Sequence, residues 1–392
     1  MNEQNKKVPT VRFKGFTNDW EQRKLRDIST RVLRKNKDLQ STLPLTISAQ
    51  DGLVDQTTFF HKQVASKQLS NYILLFKGEF AYNKSYSEGY PFGAIKRLNK
   101  YSKGVLSTLY IVFKPKNVNS DFLEHYYDTS KWYREIYRNA AEGARNHGLL
   151  NISAKDFFGT MLYMPQKNEQ ALIANVLDHL DSLITLQQRK LELLKEIKKG
   201  LLQKMFAEKN SNQPVLRFKG FHDDWEQRKL GDVAQIETGK LDANAMVEGG
   251  KYDFYTSGIK KYHIDIPAFE GPAITIAGNG ATVGYMHLAD GMFNAYQRTY
   301  VLTKFIATDR RFLFNEIGNN LPRKIQQESR AGNIPYIVMD MLTGLKISLP
   351  SFAEQEKIGK YFADLDSLIA LHQRKQNHFK LLKKSLLQQM FM

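Results

Sequence analysis

The chain has 392 residues, and its 57 lysine and arginine residues against 40 aspartate and glutamate residues give a formal net charge of +17. Cysteine is absent, which excludes disulfides, thiolate metal sites, iron–sulfur clusters and cysteine nucleophiles. No apolar run approaches the roughly 20 residues of a membrane helix, so we expect a cytoplasmic protein of two or three domains. A basic folded chain commonly binds nucleic acid; the alternative is a generally basic protein without such a partner.

Two pairs of segments repeat along the chain. Residues 12–27 match residues 217–232 at 13 of 16 positions, and the two segments lie 205 residues apart. Residues 179–190 match residues 364–375 at 9 of 12 positions, at an offset of 185 residues. The inserts between these constant segments share almost no identity, whereas a simple duplication diverges at a similar rate everywhere. The pattern suggests that the inserts select a ligand and the constant segments form a common frame.

The first insert, residues 28–160, predicts a mixed α+β domain. Alternating and β-branched runs at 72–82 and 105–113 predict strands, and 121–139 predicts a helix. Its candidate base-reading residues lie in polar loops: Asn83, Lys84, Ser85, Tyr86, Ser107, Thr108, Arg145, Asn146 and His147. Asparagine can pair bidentately with adenine and arginine with guanine, although turn residues more often bond their own backbone.

Residues 168–206 predict a long amphipathic helix, because apolar residues recur at alternating spacings of four and three over about five heptads. Pro165 marks its start. The apolar seam comprises Ile173, Leu177, Leu180, Ile184, Leu191, Leu194 and Leu201. Gln187 and Lys198 interrupt the seam, where they either set the register or face additional protein.

The second insert, residues 233–345, predicts another mixed α+β domain, with strands in 272–288 and 298–303 and a helix at 308–328. Its candidate base-reading residues are Asn279, Thr282, Tyr296, Gln297, Arg298, Arg330 and Asn333. The 185-residue offset aligns Arg330 with Arg145. The glycine-rich segment 278–284 lacks the G-x-G-x-x-G spacing, so we expect a tight turn there and not a cofactor site.

The segment after Pro350 repeats the helical pattern. Its seam comprises Ile358, Phe362, Leu365, Ile369, Phe379 and Leu386, interrupted by His372, Gln376 and Lys383. Ser351 and Glu354 predict a capping box at the start of this helix. Neither long helix can bury its apolar stripe alone, so we expect the two to pair with each other. We prefer an antiparallel pair, because it relates the two halves of the chain by a rough twofold. The alternative is that each helix packs only on its own domain.

Common catalytic signatures are missing from the sequence. It contains no P-loop, no H-E-x-x-H, no G-x-S-x-G and no amino-methyltransferase motif, so we predict no catalytic, cofactor-binding or metal-ligating residue. This absence favours a binding subunit over an enzyme. Two rivals stay open: a DNA-architectural scaffold with little sequence specificity, and a nuclease whose carboxylates follow no tight pattern.

The order of segments resembles the specificity subunit of a type I restriction–modification enzyme. The resemblance rests on the WEQRKL motifs at Trp20 and Trp225 and on the LDSLI motifs at Leu180 and Leu365, in variable–constant–variable–constant order. It implies an α+β fold with two target-recognition domains separated by an antiparallel coiled coil, duplicated about a pseudo-twofold. The implied divisions are recognition domains at 1–164 and 210–349, and spacer helices at 165–209 and 350–392.

The same resemblance implies a function and a set of partners. Each variable domain would read one half of a bipartite double-stranded DNA target, and the helices would set the gap and dock two methyltransferase subunits. Two motor-nuclease subunits would complete the restricting complex. S-adenosylmethionine, ATP and Mg²⁺ would belong to these partners, and this chain would direct adenine methylation without catalysing it.

Overall fold

A computed structural model describes residues 7–61, 68–140, 150–208, 211–328 and 335–392. The chain divides into two compact units. Unit 1 comprises residues 1–186 and 375–392, and unit 2 comprises residues 187–374. Two helices of 38 residues each, α6 (Lys167–Lys204) and α10 (Phe352–Gln389), run through both units. The segment divisions expected near residues 164, 209 and 349 stay predictions.

Unit 1 is a mixed α/β structure. Its strands are β1 (Glu21–Lys24), β2 (Ser29–Arg31), β3 (Leu45–Ser48), β4 (Gly52–Asp55), β5 (Ile73–Phe76), β6 (Phe80–Asn83), β7 (Ala94–Arg97), β8 (Lys103–Leu106), β9 (Ile111–Pro115) and β10 (Met161–Met164). Its short helices are α1 (Leu25–Ile28), α2 (Gln56–Phe60), α3 (Ser120–Tyr127), α4 (Tyr133–Asn139) and α5 (Ala154–Gly159). The main sheet has the order β2-β9-β6-β7, with β3–β4 and β5–β8 as separate pairs.

Unit 2 repeats this plan with unrelated residues. Its strands are β11 (Glu226–Lys229), β12 (Gln235–Thr238), β13 (Tyr252–Tyr255), β14 (Tyr262–Ile264), β15 (Phe269–Glu270), β16 (Ala273–Ala277), β17 (Met286–Ala289), β18 (Met292–Ala295), β19 (Thr299–Thr303) and β20 (Lys346–Leu349). Its helices are α7 (Leu230–Val233), α8 (Arg310–Glu328) and α9 (Met339–Thr343). One sheet has the order β12-β19-β16-β17, which corresponds strand for strand to the main sheet of unit 1. A second sheet has the order β14-β13-β18-β15.

The constant segments close each insert into a domain. The strand of the WEQRK motif pairs antiparallel with the strand that precedes the long helix, β1 with β10 and β11 with β20. Trp20 and Trp225 are both buried in the cores beside these strands. Each two-stranded sheet therefore brings the two ends of a divergent insert together.

The long helices run antiparallel within each unit, as expected. In unit 2, Gln187 Oε1 lies 2.6 Å from His372 Nδ1, and the later residue Lys198 lies 2.5 Å from the earlier residue Asp366. In unit 1, Lys383 Nζ lies 2.7 Å from Asp181. Under the 185-residue offset, Lys198 corresponds to Lys383 and Asp366 corresponds to Asp181. The same ion pair therefore occurs in both units.

The seam residues face the inside of each unit. Six are buried, namely Ile173, Leu177, Leu180, Leu191, Ile358 and Phe362. Seven are half-buried, namely Ile184, Leu194, Leu201, Leu365, Ile369, Phe379 and Leu386. The ends of the seam also pack on the domain cores, because Ile173 and Leu177 share the core of unit 1 with Phe391. The helices therefore pair with each other and also support the domains.

An arginine at the start of each RFKGF segment, here called the arm (residues 12–16 and 217–221), binds the start of a long helix. Arg12 donates two hydrogen bonds, of 2.6 and 2.8 Å, to the fully buried Glu169. Arg217 donates two bonds of 2.7 Å to the fully buried Glu354. The capping box predicted from Ser351 and Glu354 is therefore wrong, because the Glu354 carboxylate binds Arg217 and not the backbone at Ser351. A bidentate bond to a guanidinium is stronger than a bond to a backbone amide.

One predicted helix is interrupted. Residues 121–139 form α3 and α4, with a break after Tyr127, whereas the helix predicted at 308–328 is present as α8. The break has a local cause: Thr129 donates from its hydroxyl to the Tyr126 carbonyl, and Trp132 Nε1 donates to the Tyr127 carbonyl. These side chains satisfy carbonyls that a continuing helix would use.

Candidate nucleic-acid interface

Polar loops gather at one end of the main sheet in unit 2. Strand β16 ends at Ala277 opposite Thr299, the first residue of β19, and β17 begins at Met286 opposite Ile276. The loops 278–285 and 296–298 therefore leave the sheet at the same end. This end holds five of the residues predicted from sequence: Asn279, Thr282, Tyr296, Gln297 and Arg298.

Three of these residues help to hold the loops together. Ser257 donates to Asn279 Oδ1 at 2.6 Å, and Thr282 donates to the Ser257 carbonyl. Tyr296 N donates to the Tyr255 carbonyl at 2.9 Å. The loop after β13 is thus attached to both other loops, and the side chains of Asn279 and Thr282 already have structural partners.

Gln297 and Arg298 have exposed side chains on an anchored backbone. Gln297 N donates to the Leu241 carbonyl, and the Arg298 carbonyl accepts from Gly278 N, both at 2.8 Å. A Cβ at Gly278 would lie 2.5 Å from that carbonyl, so the close approach of the two loops requires glycine. These two side chains are therefore positioned to project from the end of the sheet.

The β13–β14 hairpin adds residues that the sequence analysis did not select. Lysine Nζ atoms lie over tyrosine rings in three pairs, Lys251–Tyr252, Lys260–Tyr262 and Lys261–Tyr255, at 5.7, 5.4 and 5.9 Å from the ring centroids. Alternation of lysine and tyrosine through KYDFYTSGIKKYH, residues 251–263, is the signal that could have revealed them, since basic residues interleaved with aromatics favour nucleic acid.

The hairpin also contains a carboxylate, Asp253, that is paired with a lysine and a tyrosine. Lys261 donates to Asp253 at 2.7 Å, and the Tyr255 hydroxyl donates to Asp253 at 3.2 Å. Burial raises the pKa of Asp253, but the bond and charge of Lys261 outweigh it and the net pKa is lowered. Burial lowers the pKa of His287, which packs against Tyr255.

The main sheet of unit 1 presents an equivalent end. Strand β6 ends at Asn83 opposite Ala94, and its residue Tyr82 faces Ile111, the first residue of β9. The loops 84–93 and 107–110 therefore emerge together. These loops and Asn83, the last residue of β6, include six predicted residues: Asn83, Lys84, Ser85, Tyr86, Ser107 and Thr108.

Three of these six side chains have structural partners within unit 1. Asn83 Oδ1 accepts from Ser85 N at 3.0 Å, and Lys84 Nζ donates to the Ile152 carbonyl at 3.3 Å. Ser107 Oγ accepts from Leu109 N at 3.4 Å. Tyr86 and Thr108 are exposed. Of the six, these two are the most accessible to a ligand.

The two sheet ends share one further contact. The Lys84 carbonyl accepts from Leu150 N at 3.1 Å, and the Gly278 carbonyl accepts from Ile337 N at 2.8 Å. In each unit, the chain therefore returns to the residue that follows the equivalent strand, β6 or β16. The predicted residues Arg145, Asn146, His147, Arg330 and Asn333 lie outside the described residues, and DNA contact by all the candidates stays a prediction.

Neither a metal site nor a membrane span is found in the part of the chain that the structure describes. In those ranges, no group of three histidine, aspartate or glutamate residues is arranged to bind a metal ion. Among the described helices, none is long and apolar enough to cross a bilayer.

Comparisons with known proteins point to one family. Residues 222–381 match the family model described as the type I restriction modification DNA specificity domain. The chain is 38% identical to the type I restriction enzyme EcoDI specificity subunit of Escherichia coli over 147 residues, which are 38% of this chain and 32% of that relative. It is 24% identical to the MjaVIII specificity subunit of Methanocaldococcus jannaschii over 73% of each chain.

Solved structures show the same fold. The S subunit of a type I restriction–modification system from M. genitalium has a TM-score of 0.66 at 17% identity and covers 98% of this chain and 99% of its own. A chain from a study of assembly and conformational transition of the type I system has a TM-score of 0.54 at 16% identity, covering 94% of this chain and 96% of its own. At these identities the likeness concerns the fold alone.

Proposed function

We propose that this chain is a specificity subunit of a type I restriction–modification system and that it reads a bipartite DNA target, because residues 222–381 match the specificity-domain family and two similar relatives are specificity subunits. Each unit would contact one half of the target with the loops at the end of its main sheet. The gap between the halves would be set by α6 and α10.

The observation that carries this proposal is one scaffold with two different surfaces. The sheet orders β2-β9-β6-β7 and β12-β19-β16-β17 correspond, and the loops that leave the equivalent ends differ in sequence. Base edges are read by side chains, whereas the backbone scaffold only positions them. Equivalent scaffolds with different side chains therefore suit two non-identical half-sites.

Exposed apolar residues on the long helices support two docked partner subunits. Unit 1 exposes Leu183 and Leu186 of α6 and Leu382 of α10, and unit 2 exposes Leu368 and Leu371 of α10 and Ile197 of α6. The 185-residue offset relates the two sets residue by residue. Equivalent apolar sets suit two copies of one partner, and we assign them to two methyltransferase subunits.

Catalysis in this proposal belongs to the partners. The methyltransferase subunits would bind S-adenosylmethionine and methylate adenine, and two motor-nuclease subunits would use ATP and Mg²⁺. This chain would select the DNA sequence on which both act.

Exchange of one insert tests the proposal. Residues 233–345 are replaced by the corresponding insert of a relative with a different target, and methylated adenines are mapped in cells that also express the methyltransferase subunit. We expect one half of the methylated target to change and the other half to persist. The matched control exchanges residues 28–160, which should change the opposite half.

Two results would contradict the proposal. Changes in both halves from one exchange would show that the units do not read separately. Binding of the wild-type chain to target and scrambled duplexes with equal affinity at physiological salt would instead indicate a DNA-architectural scaffold.

A further inference from the structure

Both long helices carry the same basic pattern, K-x-x-K-K, at residues 195–199 and 380–384. The two copies lie 185 residues apart, in the constant part of the repeat. The middle lysine of each copy is used structurally, since Lys198 pairs with Asp366 and Lys383 with Asp181. The outer lysines are exposed and form no ion pair with any described residue: Lys195, Lys199, Lys380 and Lys384.

In unit 1, Lys380 and Lys384 line a groove beside the loop 84–93. The groove has a volume of about 590 Å³, and α10 contributes Lys380, Lys383 and Lys384 to its wall. The lining also includes Lys96 of β7, Lys131, and Tyr90 from the loop that follows β6.

The groove carries excess positive charge. Asp128 pairs with Lys96 at 2.7 Å and lies 3.9 Å from Lys383. Lys131, Lys380 and Lys384 have no such carboxylate among the described residues. A groove with uncompensated lysines attracts a polyanion, and its position next to the loop 84–93 places that polyanion beside the proposed base-reading surface.

The chemistry favours phosphate over bases. Lysine is a point charge without the planar fork that arginine offers to guanine, and the same lysines occur beside two inserts of unrelated sequence. Lysine contacts that are the same beside two different inserts carry no information about the DNA sequence. They match the role of phosphate contacts, which supply affinity and position the protein.

We propose that Lys195, Lys199, Lys380 and Lys384 bind the DNA phosphate backbone next to each half-site, as sequence-independent contacts built into the spacer helices. This inference rests on the proposed function, because it requires that the chain bind DNA. It adds that the helices contribute affinity directly as well as holding the domains.

The test is the salt dependence of binding by the full-length chain to a random-sequence duplex. The quadruple Lys→Gln variant at these four positions should reduce the slope of log affinity against log salt by about 3.6, at roughly 0.9 per lost phosphate contact. The double variant K380Q/K384Q should reduce it by about 1.8. The target methylated in cells should keep the same sequence.

Two variants serve as controls. Lys190→Gln with Lys375→Gln removes exposed lysines nine residues before Lys199 and Lys384, which at about 100° per residue is the opposite side of each helix. This variant should keep the wild-type slope. Quadruple Lys→Arg substitution retains the charge and should also keep it, and melting temperatures establish that every variant is folded.

The outcomes separate the two proposals. If the wild-type chain shows no salt-dependent DNA binding, the proposed function and this inference both fail. If the wild-type chain binds DNA and the quadruple Gln variant keeps its slope, only this inference fails. If the quadruple Gln variant loses co-purifying methyltransferase but keeps the wild-type salt slope, the lysines bind an acidic protein surface and the inference is overturned. A reduced salt slope in the quadruple Arg variant would also overturn it.

Discussion

Glu316 of α8 shows how a single side chain depends on its surroundings. Its carboxyl group is buried (1% of the residue is exposed), and Oε1 accepts from Ser348 N at 2.8 Å and from Asn320 at 2.9 Å. Oε2 has no hydrogen-bond partner among the described residues. Burial raises the pKa of Glu316 from 4.5 to about 7, although both hydrogen bonds oppose this. The charged form is therefore disfavoured in the folded state.

This pKa predicts that unit 2 loses stability as the pH rises. Between pH 4.5 and 7 the folded chain keeps a proton that the unfolded chain releases, so the free energy of unfolding falls across this range. The difference corresponds to about 3 kcal/mol at most. Glu316→Gln should flatten the dependence, measured by urea unfolding at pH 5 and pH 8. An unchanged pH profile in the variant would show that Glu316 is already ionised at pH 5.

At the scale of elements, the buried ion pairs attach each arm to a long helix. Glu169 and Glu354 are equivalent under the 185-residue offset, and each accepts from an arginine of the RFKGF segment. The neighbouring Gln170 and Gln355 accept from Asn119 N and Asp309 N, the backbone amides at the starts of α3 and α8. The start of each spacer helix therefore orients both the arm and a helix of the domain.

Removal of Arg12 should be more harmful than removal of the whole pair. Arg12→Met leaves Glu169 buried without its cation, and we expect a loss of about 3–5 kcal/mol in the free energy of unfolding. Arg12→Met combined with Glu169→Leu should recover most of this loss, because both charges are then absent. Urea unfolding of the two variants and of Glu169→Leu alone completes the cycle. Equal losses in Arg12→Met and the double variant would contradict this account.

At the scale of the whole molecule, the chain repeats contacts as well as sequence. The ion pairs Asp181–Lys383 and Lys198–Asp366 are one contact used twice, and the exposed apolar sets on the helices repeat in the same way. Gln187 and His372, which contact each other, are themselves related by the 185-residue offset. Equivalent contacts at equivalent positions are expected of a chain that contains a duplicated sequence.

Longer helices should change the gap in the target. A heptad inserted after Arg189 and another after Arg374 keep the ion pairs in register and add about 10 Å, or about three base pairs of 3.4 Å. We expect mapping of methylated adenines to show a longer gap with unchanged half-sites. A heptad in one helix only is the control and should destabilise the chain, because the two seams then differ in length. An unchanged gap with altered bases would refute the role of the helices as a spacer.

The sequence by itself determined the long helices, the repeats and the absence of cysteine chemistry. Heptad periodicity is local, so α6 and α10 could be predicted from spacing alone, and their pairing followed from the need to bury two apolar stripes. The antiparallel direction was favoured by the duplication of the sequence. Asn279 and Arg298 could likewise be placed in loops from their flanking strands.

Only the tertiary structure decided which other segments those loops contact. The common sheet order of the two inserts depends on pairing between distant strands, and no local pattern in two unrelated sequences encodes it. Arg12 and Glu169 are 157 residues apart, and a bidentate contact at that separation leaves no periodic signal. The place of the lysine–tyrosine hairpin beside the candidate interface could not be predicted either. It depends on the contact between Ser257 and Asn279, which forms only in the folded sheet.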